Sequence, residues 1–186
     1  MHSVVRPKNY FQIAWAVPDL RAAVDQWTDG MGIGPFFVYE HVQLSGYKYR
    51  GRPFELDQSI AIAQAGTVQL ELIQVHTEEP TPFSEVIPKT TPGMHHVAVM
   101  ASDLEAEIAA YTSRGYEILA EGDTSGVRFA MIDAWAKHGC MIELLADHPL
   151  LHQSAKMIAD AAAQWDGTDP IRPFGSVTET ASDKNE

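Results

Sequence analysis

Gln12, Glu71, His96 and Glu143 are the residues whose types and spacing could do chemistry together. One imidazole nitrogen and three side-chain oxygens make a hard donor set that suits a divalent cation and leaves positions open for water or substrate. Such a cation can hold a carbonyl oxygen while a neighbouring carboxylate moves the proton of the adjacent carbon. The spacing repeats. The stretch from Phe11 to Leu20 lies over that from His95 to Leu104, and Gln69 to Ile73 lies over Met141 to Leu145. Each half therefore opens on a strand carrying a ligand type and closes on a strand carrying a glutamate.

The elements that must position these side chains follow from periodicity. Residues 10–17 and 94–101 alternate and predict strands. Asp19 and Asp103 stand where helix N-caps belong. Leu20, Ala23, Val24 and Trp27, then Leu104, Ile108 and Tyr111, recur at helical spacing, with Gly30 and Gly115 as the expected stops. Strands are predicted at 36–43, 57–65 and 67–75, and again at 116–122, 127–134 and 139–146. Both halves thus read βαβββ, and the fold class is α+β. The boundaries are 8–77 for the first module, 78–93 for a proline-rich connector, 94–147 for the second module and 148–186 for a C-terminal helix and tail. Residues 44–56 look like an extended hairpin or lid. Residues 150–165 predict an added helix, and 166–186 an extended or frayed end.

Side chains two apart share one face of a sheet. Gln12, Ala14 and Ala16 then line one face, as do His96, Ala98 and Met100, with Glu71 and Glu143 converging on the same hollow. By the same parity His95 faces the helix side and is structural.

Composition narrows the function classes. The chain has 186 residues and a formal net charge of -12, which argues against a nucleic-acid partner. Glu179, Asp183 and Glu186 place part of that charge in the tail. No apolar run is long enough for a membrane span, the start lacks a leader-like stretch, and Cys140 is the only cysteine. The expected compartment is the cytoplasm. Gly30, Gly32 and Gly34 superficially suggest a nucleotide loop, but they follow a helix and precede a strand, so they read as a turn. Pro149 between His148 and His152 removes a zinc-protease motif. Cys140 has no base partner in view and reads as inert.

The duplicated strand motifs, over roughly residues 8–147, resemble the vicinal oxygen chelate superfamily of glyoxalase I, methylmalonyl-CoA epimerase, extradiol dioxygenases and bleomycin-resistance proteins. The resemblance implies two paired βαβββ modules in a curved, open-sided mixed sheet around one divalent metal (Zn, Ni, Co, Mn or Mg). It implies Gln12 and His96 as first-strand ligands and Glu71 and Glu143 as last-strand ligands, the glyoxalase I order. Glu143 is implied as the first base and Glu71 as the second. A homodimer is also implied.

The expected activity is proton abstraction next to a carbonyl of a small substrate, in an isomerase, epimerase or glyoxalase-like lyase. The alternatives are an extradiol-type dioxygenase, against which Gln12 in place of a histidine counts, and a non-catalytic binding protein, against which the full ligand set counts. Trp15, Phe37, Tyr47, Tyr49, Arg50 and Arg52 are the candidate substrate contacts. Aromatics turned inward would imply an apolar body. Arg50 or Arg52 reaching the hollow would imply an anionic group such as a coenzyme A carrier.

Overall fold

The computed structural model describes residues 8–78 and 80–174. The alternating stretch at the start forms β1 (Tyr10–Ala16), and α1 (Leu20–Met31) follows. The Asp19 carboxylate accepts from the Ala22 N–H at 2.9 Å, a cap contributing about 1 kcal/mol. Leu20, Ala23 and Val24 are the buried stripe of α1. The helix runs through Gly30 and stops at Gly32, whose φ of 66° supplies the left-handed cap.

Next come β2 (Phe36–Tyr39), the hairpin strands β3 (Leu44–Tyr49) and β4 (Arg52–Pro53), then β5 (Gln58–Ala65) and β6 (Val68–Val75). The second half repeats the frame with β7 (Gly93–Ala101), α2 (Leu104–Thr112), β8 (Glu117–Thr124), β9 (Val127–Asp133) and β10 (Met141–Ala146). Asp103 caps α2 by accepting from the Ala106 N–H at 3.0 Å. A short helix, α3 (Trp135–His138), precedes β10. The chain continues into α4 (Pro149–Ala163) and β11 (Ile171–Pro173). Part of the end expected to be extended or frayed is an extended strand: β11 pairs in parallel with β2, and the Phe174 N–H donates to the Val38 carbonyl, while residues 175–186 lie outside the described residues.

All described strands share one sheet in the order β11-β2-β5-β6-β1-β7-β10-β9-β8-β3-β4. The halves meet at β1 and β7, which pair antiparallel with Ile13 opposite Val97. Those two residues are equivalents in the repeat, so a pseudo-two-fold axis passes between them. The pairings around it are symmetric: Gln12 faces Ala98 and Ala14 faces His96, while Ala14 is in register with Glu71 and Ala98 with Glu143.

Sheet order also requires curvature. β2 and β3 are consecutive in the chain yet stand eight places apart, second and tenth of eleven. A flat sheet would separate them by about 38 Å at ~4.8 Å per strand. The five Cα steps from Tyr39 to Leu44 reach at most about 19 Å. The sheet must therefore bend into a trough, with residues 40–43 crossing its mouth. The expected lid hairpin leaves its own half and pairs with β8 of the other.

Three cores result. Leu70, Leu72, Ala61 and Ala63 pack under α1, and Val99, Ile132, Ile142 and Leu144 pack under α2. The third lies inside the trough, around Ile73, Leu119, Phe129, Met131 and Leu145. Among the described residues no helix is long and apolar enough to cross a membrane.

Candidate metal centre

The trough holds a cavity of about 160 Å³ whose lining includes Gln12, Glu71, His96 and Glu143. The structure thus brings the four side chains singled out by the repeat into one space. His96 is nearly inaccessible, and its Nε2 is a buried polar atom without a hydrogen-bond partner. Oε2 of Glu71 and Oε2 of Glu143 each stand 3.5 Å from it. That separation is long for a hydrogen bond. Each separation taken singly is near that of two donors about 2.1 Å from one tetrahedral ion, which stand about 3.4 Å apart. The donor set and its buried orphan nitrogen fit a divalent cation.

Electrostatics agree with the geometry. Burial alone would depress the His96 pKa, but the carboxylates of Glu143 and Glu71 outweigh it and hold the value at about 9. Burial pushes the Glu71 carboxyl up against the opposing pull of His96, and the charge of Glu143 adds to the rise. A buried cluster of this kind gains from any cation that satisfies both carboxylates at once.

Two β-bulges alter the parity expected from sequence. Register shifts leave Phe11 as the extra residue on β1 and His95 as the extra residue on β7. A bulge turns its extra side chain away from strict alternation, and both Phe11 and His95 line the cavity. His95 is therefore not on the helix side. Its Nδ1 lies 3.0 Å from Nδ1 of His96, so one ring must donate and the other accept. Its ring packs on Phe83 with centroids 4.3 Å apart. Burial, then the charge of His96, drives the His95 pKa well down against the Pro82 carbonyl, keeping the imidazole neutral.

Of the expected substrate contacts, Tyr47 lines the cavity. Its phenol is held protonated by burial, then by the negative charge of Glu143. The others lie elsewhere. Trp15 packs edge-on against Trp27 under α1, because it sits on the outward face of β1. Phe37 is covered by Phe174 beside β11. Tyr49 bonds Glu85, and Arg50 is held by Glu85, Glu117 and Asp133. Arg52 is exposed on β4.

Sequence reasoning missed Pro82 and Phe83 of the connector, Gln58 of β5, and Leu151, Ser154 and Ile158 of α4, all of which line the cavity. The α4 residues carried a usable signal, since positions i, i+3 and i+7 share a helix face. Gln58 heads the alternation with Ile60 and Ile62 on β5.

The sequence profile of the Glyoxalase/Bleomycin resistance protein/Dioxygenase superfamily matches residues 11–131. The chain belongs to that superfamily. Another relative, "Uncharacterized protein YqjC" of Bacillus subtilis (strain 168), is 26% identical over 125 residues, covering 62% of this chain and 89% of that protein. Among solved superfamily folds, the hypothetical protein BH1468 from Bacillus halodurans C-125 aligns with a TM-score of 0.54 at 18% identity, covering 77% of this chain and 96% of that one. Methylmalonyl-CoA epimerase from Mycobacterium tuberculosis aligns with a TM-score of 0.53 at 20% identity, covering 82% and 97%. At such identities these likenesses speak to the superfamily fold alone.

Proposed function

We propose that this superfamily member is a metal-dependent enzyme that moves a proton on the carbon next to a carbonyl of an uncharged, largely apolar substrate. The observation that carries the reading is the orphaned Nε2 of His96 between two carboxylates at the floor of an apolar cavity. Gln12, Glu71, His96 and Glu143 would hold the ion. A bound divalent cation supplies Lewis acidity at a carbonyl oxygen.

The protein side of the chemistry falls to the carboxylates. Glu143 takes the proton and returns it to the neighbouring carbon in an isomerisation; an epimerisation would need a donor on the opposite face, for which Glu71 is the second carboxylate. The Glu143 side chain is more accessible than that of Glu71, at 15% against 10%, which favours Glu143 as base and Glu71 as ligand. Tyr47 contributes a neutral hydroxyl on the same wall. Phe129, Met131, Leu145 and Ile158 give the cavity an apolar wall around the carboxylates.

Cavity chemistry narrows the substrate. A space of about 160 Å³ is close to the roughly 150 Å³ void that accepts benzene in an engineered protein core, so a ring-sized body fits. No lysine or arginine lines it among the described residues, so no cationic side chain is there to receive an anionic group. The part of the substrate that enters is therefore neutral. His95 Nε2 and Gln58 Oε1, both buried and unpartnered on the cavity wall, offer it further polar contacts. Extradiol chemistry is disfavoured because it calls for two histidines and a carboxylate, and the first-strand position carries Gln12.

The test is solvent-deuterium wash-in at the α-carbon of small uncharged ketones such as 1-indanone, with stripped protein reloaded in turn with Zn, Ni, Co, Mn and Mg. Exchange should require a metal and disappear in Glu143→Gln. Exchange that survives chelation or that substitution, or none with any of the five ions, overturns the reading.

A further inference from the structure

A second cluster of ligating side chains lies on the surface, at one end of the trough mouth. His41 belongs to the crossover between β2 and β3, Asp57 immediately precedes β5, and His76 immediately follows β6. Their donor atoms lie within 4.8 Å of one another. We propose that His41, Asp57 and His76 form a separate binding site for a divalent transition ion of the zinc type, stapling the crossover to the ends of β5 and β6.

The backbone scaffold is already built. The His76 and Thr77 N–H groups both donate to the Asp57 carbonyl, and the Val42 N–H donates to the Gln58 carbonyl. The Asp57 N–H donates to Thr77 Oγ1 at 2.7 Å. His41 adopts a φ of 52°, a left-handed conformation that a residue with a Cβ holds only when its surroundings impose it. These bonds hold the three segments in fixed relation before any ion arrives.

The side chains are disposed for coordination. His41 Nδ1 and Asp57 Oδ1 are hydrogen-bonded at 2.7 Å, a contact that a bound ion would replace, and the two imidazoles lie 4.8 Å apart, centroid to centroid. Ser59 is buried, and its Oγ accepts from the His41 N–H at 3.1 Å and contacts His76 Nε2 at 2.8 Å. An Nε2–H donated to Ser59 leaves Nδ1 of His76 as the free donor, the outer-shell arrangement that fixes the tautomer of ligating histidines. Two histidines and a carboxylate with open positions form a set that binds Zn(II), Co(II) or Ni(II). An exposed His41–Asp57 pair on its own would contribute little. The convergence of a second imidazole, held from behind by a buried hydroxyl, distinguishes the cluster.

The staple would act on the cavity, because Val42 is buried and walls it one residue from His41. The inference does not depend on the buried centre, and one experiment separates the two. Chelator-stripped full-length protein is titrated with Zn(II) by calorimetry, alongside His96→Ala and the His41→Ala/His76→Ala double variant, with circular dichroism checking the fold. Wild type should take up two equivalents and each variant one, and zinc should still raise the melting temperature of His96→Ala. Asp57→Asn should weaken the surface equivalent at least tenfold, a factor that single outer-shell changes already reach. A double variant that binds zinc as wild type does overturns the surface site, as does a wild type with one equivalent lost only in His96→Ala. A single wild-type equivalent lost in the double variant supports the surface site and counts against the buried one.

Discussion

The two halves of the sheet are built on one frame and furnished differently. Across the axis between Ile13 and Val97, Gln12 answers His96, Phe11 answers His95 and Glu71 answers Glu143. The first half brings a neutral carboxamide, an apolar bulge residue and the more enclosed glutamate. The second brings the imidazole, a second imidazole behind it and the more accessible glutamate. Duplication thus supplies symmetry of position, while the side chains differ: under the proposed function the first half would hold the ion and the second would react.

The largest effect that could break this division is on the glutamates. Glu143→Gln should lower turnover on the order of 10³-fold, within the usual range for removing a general base. It should leave the buried ion in place, because the proposed donor set already includes a carboxamide oxygen, that of Gln12. Glu71→Gln should weaken the ion more and turnover at saturating metal less. Paired kinetics and metal titrations decide the matter, and the reverse pattern would exchange the two roles.

The second effect is on pH. In metal-free protein the folded His96 pKa of about 9 lies above its unfolded value near 6.5. Its contribution to stability is therefore fully present below about pH 6.5 and lost as pH rises through about 9. The Glu71 shift, also upward, has the same sign at lower pH. Urea unfolding of chelated protein at pH 6 and pH 9.5 should show the higher midpoint at pH 6, and His96→Phe should flatten that difference. Metal affinity should run the other way and rise with pH, since the ion must displace the imidazolium proton.

A smaller effect sharpens the contrast at the bulges. His95→Phe gives the second half the residue that the first half carries at Phe11. The stack on Phe83 survives, but the Nδ1 partner of His96 is lost. Affinity at the buried centre should fall about 10–100-fold, the typical cost of removing an outer-shell partner. Unchanged affinity would make His95 a packing residue only.

How much of this was legible in the sequence depends on the kind of interaction. The strands and both helix caps followed from alternation and from Asp19 and Asp103, because local periodicity encodes them. The meeting of Gln12, Glu71, His96 and Glu143 followed from the duplication. The inward turn of Phe11 and His95 did not, since a one-residue bulge is a property of pairing with a neighbour. Nor did the destination of Phe37, claimed by the distant Phe174, whereas the parity of β1 did put Trp15 on the helix side, where Trp27 meets it. Gly30 looked like a stop, yet α1 continues one residue further, to Met31, and is capped by Gly32, the glycine with the left-handed backbone. Hairpin 44–56 was visible as an element, but its long-range pairing with β8 was not.

That hairpin carries the smallest prediction. Arg50 ties a strand from the first half to Glu117 and Asp133 of the second and to Glu85 of the connector. The bond to Glu85 is the main cause of its raised pKa and of the lowered pKa of Glu85. Its side chain is 39% exposed, so water and salt screen the network and Arg50→Ala should cost no more than about 1 kcal/mol. The loss should shrink as ionic strength rises. Because the guanidinium is engaged outside the cavity, KM for an uncharged ketone should not change. A rise in KM without loss of stability would instead place Arg50 in the path of the substrate, and would make the hairpin a working part of the site rather than a clasp between the halves.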